Sequence, residues 1–121
     1  ADRGTTMKVI VCGDRNWINR DFIYSTLDKY PITELIEGGA NGADAFAAQY
    51  AKDHGIVHHQ IIAKWEEFGK GAGPIRNMQM LAIKPDLVIA FHNNIKHSRG
   101  TANILNRARR AKIPILLFKT K

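Results

Sequence analysis

Apolar positions along the chain fall into two alternating rhythms. Short runs rich in β-branched residues read as buried strands at Lys8–Cys12, Thr33–Ile36, His58–Ala63, Leu87–Phe91 and Ile115–Phe118. Between them, apolar residues recur at helical spacing. Phe22, Ile23, Thr26, Leu27 and Tyr30 form one such face, stopped by Pro31. Ala43, Phe46, Ala47, Tyr50 and Ala51 form the next, with Gly55 as its C-terminal stop. Ile75, Met78, Leu81 and Ala82 follow Pro74, which suits a first helical turn. A last helix starts near Ser98 and buries Ile104, Leu105 and Ala108, leaving Arg107, Arg109, Arg110 and Lys112 mostly outside.

Strands and helices therefore alternate strictly. Short connections then imply parallel strands and right-handed crossovers. The prediction is a single Rossmann-like, doubly wound α/β domain over residues 7–121, with about five parallel strands and helices on both faces. Residues 1–6, Ala-Asp-Arg-Gly-Thr-Thr, carry no apolar pattern and are expected to be an added remnant or a disordered tail.

Topology places function before any motif does. In such sheets, ligands bind beyond the C-terminal strand ends, at the switch in strand order. The loops on that edge are Gly13–Asn19, Glu37–Gly42, Lys64–Gly73 and His92–Gly100. Of the glycines beyond the tail, only Gly55 lies outside them. A whole edge of glycine-rich loops is expected to form a ligand cradle.

Composition narrows the chemistry. The 121 residues are 45% hydrophobic and carry a formal net charge of +7, and the excess is uneven. Residues 1–60 hold six basic and eight acidic side chains; residues 61–121 hold twelve and three. A basic half suggests an anionic partner, either a phosphate-bearing small molecule or nucleic acid. The longest apolar run near the middle, Leu87–Phe91, is far short of the ~20 residues of a membrane helix, so no membrane partner is expected. No secretory leader opens the sequence, and the lone Cys12 permits no internal disulfide; a reduced, cytoplasmic setting is expected.

The strongest local signal is Glu37-Gly38-Gly39-Ala40-Asn41-Gly42-Ala43-Asp44, running from a strand end into a helix. Freed amides and the helix dipole there make an anion site, with Asn41 as the predicted N-cap. Ser98-Arg99-Gly100-Thr101 repeats the arrangement at the last helix. Arg15 and Arg76 offer guanidinium forks for phosphate, and Trp17 and Trp65 either shield a base or plug their loops onto the core. Standard nucleotide motifs are absent. The turn after the first strand is not G-x-G-x-x-G, and Gly69-Lys70-Gly71-Ala72-Gly73 lacks the P-loop hydroxyl after its lysine. The five histidines have no metal-ligand spacing; neither a metal nor a cofactor is expected.

Gly13-x-Arg15-x-Trp17, Gly38-Gly39-Ala40-x-Gly42-Ala43-Asp44, Trp65, Ala72-Gly73-Pro74-x-Arg76-Asn77-x-x-Met80 and Gly100-Thr101, in that order, resemble the YspA-like branch of the SLOG superfamily. The likeness covers residues 7–118. It implies a Rossmann-like fold, a nucleotide-derived ligand and a bacterial or phage setting; a homo-oligomer, dimer or higher, is also expected. Related SLOG branches include phosphoribohydrolases that cleave the base–sugar bond of a nucleoside monophosphate through P-G-G-x-G-T-x-x-E. This chain matches the glycines in kind but has an extra residue and neither the threonine nor the glutamate. Asp44 is then the first catalytic candidate, with Glu37 and Asp14 on the same edge and Arg76 as the accompanying cation. Another relative, the DNA-processing protein A, binds single-stranded DNA. Three readings follow: a nucleotide hydrolase, a non-catalytic nucleotide sensor or sequestering protein, and a single-stranded nucleic-acid binder.

Overall fold

Residues 6–120 are described by the structure, a computed structural model; what was expected of residues 1–5 lies outside them. The elements run β1 (Lys8–Gly13), α1 (Arg20–Leu27), β2 (Glu34–Glu37), α2 (Ala43–His54), β3 (Val57–Gln60), α3 (Trp65–Phe68), α4 (Ala72–Leu81), β4 (Leu87–Phe91), α5 (Gly100–Arg110) and β5 (Ile115–Phe118). All four strand pairings are parallel, in the order β3-β2-β1-β4-β5. This is the predicted Rossmann-like sheet.

Side-chain alternation along the strands divides the core in two. Val9, Val11, Leu35, Ile89 and Phe91 face α1 and α2, where Ile23, Leu27, Ala47 and Ala51 meet them. Ile10, Cys12, Ile36, Val88 and Ala90 face the opposite layer, against Met80, Ile104, Leu105 and Ala108. β4 is buried at every residue because helices cover both its faces and β1 and β5 flank it. No helix among the described residues is long and apolar enough to cross a membrane.

Several boundaries differ from the periodicity, most by one or two residues and two by three. The third strand ends at Gln60 rather than Ala63. Ile61 makes one more parallel bond, to the Glu37 carbonyl, and then the chain leaves the sheet so that Ala63 buries while Ile62 stays exposed. The first helix ends at Leu27, where turn bonds from Lys29 to Thr26 and from Tyr30 to Leu27 replace helical ones ahead of Pro31. The predicted Gly55 stop ends α2 in the left-handed conformation at φ 64°, and α1 is capped by the Asn19 side chain, which accepts from the Phe22 amide.

The strand order fixes the crevice. From β1 the chain winds outward through β2 to β3, then returns to β4 on the other side of β1 and continues to β5. The switch lies between the C-terminal ends of β1 and β4.

Candidate functional site

A cleft of about 690 Å³ opens at that switch. Its size falls within the ~300–1,000 Å³ of small-molecule sites. Gly13 and Asp14 from the end of β1, Gly38–Ala40 from the end of β2 and His92 from the end of β4 line it. Ile62 and Trp65 add an apolar flank, while Arg76, Asn77 and Met80 of α4 and the turn into α5 complete the wall.

The Gly38–Asp44 segment is shaped by its own carboxylates. Asp44 Oδ2 accepts from the Gly38 and Ala40 amides, each at 3.2 Å. Glu37 Oε1 accepts from the Gly39 amide at 2.6 Å, and the Ala43 amide donates to the Asp14 carbonyl at 3.1 Å. Most of the amides expected to cradle a phosphate are therefore already occupied. The predicted Asn41 cap is also replaced. Gly42 takes the N-cap position at φ 69° with no side-chain cap, and Asn41 is exposed outside the cleft. Gly42 is required there, since a Cβ would collide with the Asp14 carbonyl oxygen and the Arg15 backbone. That close approach locks the β1 turn onto the start of α2.

Asp44 lines the cleft at 6% exposure. Burial pushes its carboxyl up to about 6, with Glu37 repulsion adding to the rise while the Ala40 and Gly38 amides and Arg76 oppose it. Oδ1 has no hydrogen bond among the described residues. Glu37 behaves differently. It is fully buried, outside the cleft lining, and saturated: beyond the Gly39 amide, Oε2 takes His58 Nε2 and Gln60 Nε2, both at 2.8 Å. The structure thus separates the two candidate carboxylates. Asp44 meets the cleft, whereas Glu37 clamps β2, β3 and the glycine turn together.

Arg76 is partly spoken for. Nη1 donates to the Gly38 carbonyl at 2.6 Å and Nε to Asn77 Oδ1 at 3.1 Å. It latches the glycine turn to α4, and a side chain at position 38 would meet the guanidinium. Asn77 Nδ2 in turn donates to the Gly100 carbonyl and to Asn103 Oδ1, which also accepts from Arg107 Nε. This chain of bonds joins α4 to α5. Ahead of α5, Ser98 Oγ accepts from the Thr101 amide. The Gly100 and Ala102 amides have no partner among the described residues.

Arg15 and Arg99 line the cleft, are exposed, and make no ion pair among the described residues. Trp17, one of the two candidate base shields, is 5% exposed and packs on Phe22 and Phe91, with Nε1 donating to the Asn19 carbonyl. It belongs to the core and does not line the cleft, nor do Gly42 and Ala43. Trp65 does line it, 57% exposed.

Sequence reasoning missed His92, His97 and Cys12. His92 directly follows β4 at the switch; its Nδ1 accepts from the Asn94 amide, and Nε2 has no partner among the described residues. The switch-point rule alone could have nominated it. Cys12 lies at the cleft floor, and burial holds its thiol far above the ordinary range, so it stays protonated. The cleft lining carries three arginines and two histidines against Asp14 and Asp44.

A family model described as the YspA, cpYpsA-related SLOG family matches residues 7–68, from the strand before the Gly13 turn to the end of α3. The Gene 61 protein of Mycobacterium phage D29 is 30% identical over 125 aligned positions, covering 94% of this chain and 98% of that protein. No solved structure matches the chain.

Proposed function

The chain belongs to the YspA, cpYpsA-related SLOG family, and from that premise we propose that it binds a nucleotide or nucleotide-derived anion in the cleft at the β1–β4 switch. One observation carries the reading: the crevice where open α/β sheets take ligands is lined by Arg15, Arg76, Arg99 and two histidines, with an exposed tryptophan beside them. Cations suit phosphate and Trp65 suits a base. A co-purifying small molecule identified by mass spectrometry, followed by a thermal-shift panel of nucleotides, tests it. Bound ligand at 100 times Kd raises stability by about 2.7 kcal/mol. A panel that leaves the melting temperature unmoved at millimolar concentration refutes it.

A second reading, hydrolysis of an N-glycosidic bond, is supported by Asp44. Burial pushes this carboxyl up to about 6, and its Oδ1 has no hydrogen bond among the described residues. Such a group stabilises an oxocarbenium-like sugar or activates water. Chromatography of free base and ribose phosphate against time separates hydrolase from sequestering protein: a wild type that binds a nucleoside monophosphate and releases no base is a binder. The single-stranded nucleic-acid reading rests on the basic outer face of α5, where Arg109 and Arg110 are exposed, and predicts an affinity that falls steeply with salt. The expected homo-oligomer is supported by exposed Phe68 and Met78, and light scattering during gel filtration measures it.

A further inference from the structure

The amide accounting constrains how a nucleotide would lie in the cleft. An inference about orientation rests on the binding reading above and can fail separately from it. Of the two turns expected to seat phosphate, the one after β2 is already filled by anions. Asp44 occupies the Gly38 and Ala40 amides and Glu37 the Gly39 amide. A phosphate brought to that corner would face two carboxylates with few amides left to receive it. What the corner does offer is an acceptor. Asp44 is more than nine-tenths buried, lines the cleft, and has Oδ1 without a hydrogen bond among the described residues. That oxygen is reached from the cleft, since no buried side-chain oxygen lacks a partner among the described residues, and it offers a ligand an acceptor backed by a rigid turn.

At the start of α5 the balance is reversed. The Gly100 and Ala102 amides have no partner among the described residues, and no carboxylate there takes the place that Asp44 takes at α2. Arg99 adds a cation with no ion pair among the described residues. The apolar flank is placed consistently with both. A Cβ on Gly39 would stand 3.0 Å from Ile62 Cγ1, and one on Gly73 3.3 Å from Trp65 Cη2, so Ile62 borders the carboxylate corner while Trp65 lies over α4.

We propose that Asp44 accepts the vicinal hydroxyls of a ribose whose phosphate is seated at the α5 turn, on the Gly100 amide with Arg99, and whose base lies on Ile62 and Trp65. Base, sugar and phosphate then follow in covalent order across the cleft. The ligand class is a ribonucleotide with free 2′ and 3′ hydroxyls. The glycine turn after β2 serves the sugar, through Asp44, and not the phosphate.

The test is a titration of the ¹⁵N-labelled full chain at pH 8 with the common ribonucleoside 5′-monophosphates, their 2′,3′-dideoxy counterparts and inorganic phosphate. The ribonucleotide is expected to bind roughly tenfold or more tightly than the dideoxy form of the same base, the worth of one hydrogen bond to a charged group. Asp44→Asn should shrink that ratio, while Arg99→Ala should weaken both forms alike. Inorganic phosphate should move the Gly100 amide signal and leave those of Gly38–Ala40 in place. Equal affinity of the ribo and dideoxy forms, or phosphate shifts concentrated at Gly38–Ala40, overturns the orientation while nucleotide binding stands. Failure of every nucleotide to bind overturns both.

Discussion

Replacing Asp44 with asparagine should make the protein more stable at neutral pH. The two side chains have the same shape, and the amide oxygen can replace Oδ2 as acceptor for the Gly38 and Ala40 amides. What disappears is a charge held away from water. The Asp44 carboxyl sits at about 6 in the fold against an ordinary 3.8. At 1.36 kcal/mol per pH unit, that gap corresponds to roughly 3 kcal/mol. The sign follows from proton linkage: the folded protein holds this proton more tightly than the unfolded chain does. The stabilisation is complete below about pH 4 and lost as pH rises through about 6. The wild type and the Asp44→Asn variant should thus match near pH 4. Above pH 7 the variant should lead by up to roughly 3 kcal/mol, on the order of 10 °C in Tm for a domain this size. Urea unfolding at a series of pH values, followed by circular dichroism, measures the difference directly. A variant less stable than wild type at pH 8, or a gap independent of pH, would mean that the charge-assisted amide bonds outweigh desolvation, and the reasoning would fall.

Gly42→Ala should lose on the order of 2 kcal/mol or more, because the new Cβ meets the Asp14 carbonyl at a left-handed φ; thermal denaturation reads the loss. Arg15→Ala and Arg76→Ala should each weaken nucleotide binding several-fold by calorimetry, through the loss of positive charge in the cleft lining. Only Arg76→Ala should also lower Tm, since Arg76 holds the Gly38 carbonyl while Arg15 has no ion-pair partner among the described residues. Glu37→Ala strands the Gly39 amide, His58 and Gln60 and should cost on the order of 3 kcal/mol in urea unfolding.

The sheet was legible because β1, β4 and β5 are short apolar runs and the first two helices have clear stops, at Pro31 and at Gly55 after α2. α3 was not, since Trp65–Phe68 is a single exposed turn with no apolar periodicity to detect. Placement on the ligand edge could be read for Arg15, Arg76 and Gly38, because strand ends define that edge. Whether a given group is free could not. Asp44 and Glu37 both lie in one loop-to-helix segment, yet one meets the cleft and the other ties β2 to β3, and only the three-dimensional pairing with His58 and Gln60 distinguishes them. Trp17 makes the same point: its position in the chain suits a ligand, while Phe22 and Phe91 claim its ring for the core.

The place of β1 at the middle of the sheet sets an order of events during synthesis. The earliest strand of this sheet needs neighbours on both sides. β2 arrives soon after it, but β4 follows only when α1 to α4 have been made; the Lys8 amide finds Asp86 across 78 positions. Until then the face carrying Ile10, Cys12 and Ile36 waits for α4 and α5 to cover it. The segment through α3 is thus half a sheet with one bare apolar side and an open central edge, a species prone to wrong pairing. The sheet cannot close around β1 before β4 is available, so the crevice between β1 and β4 is a product of that closure.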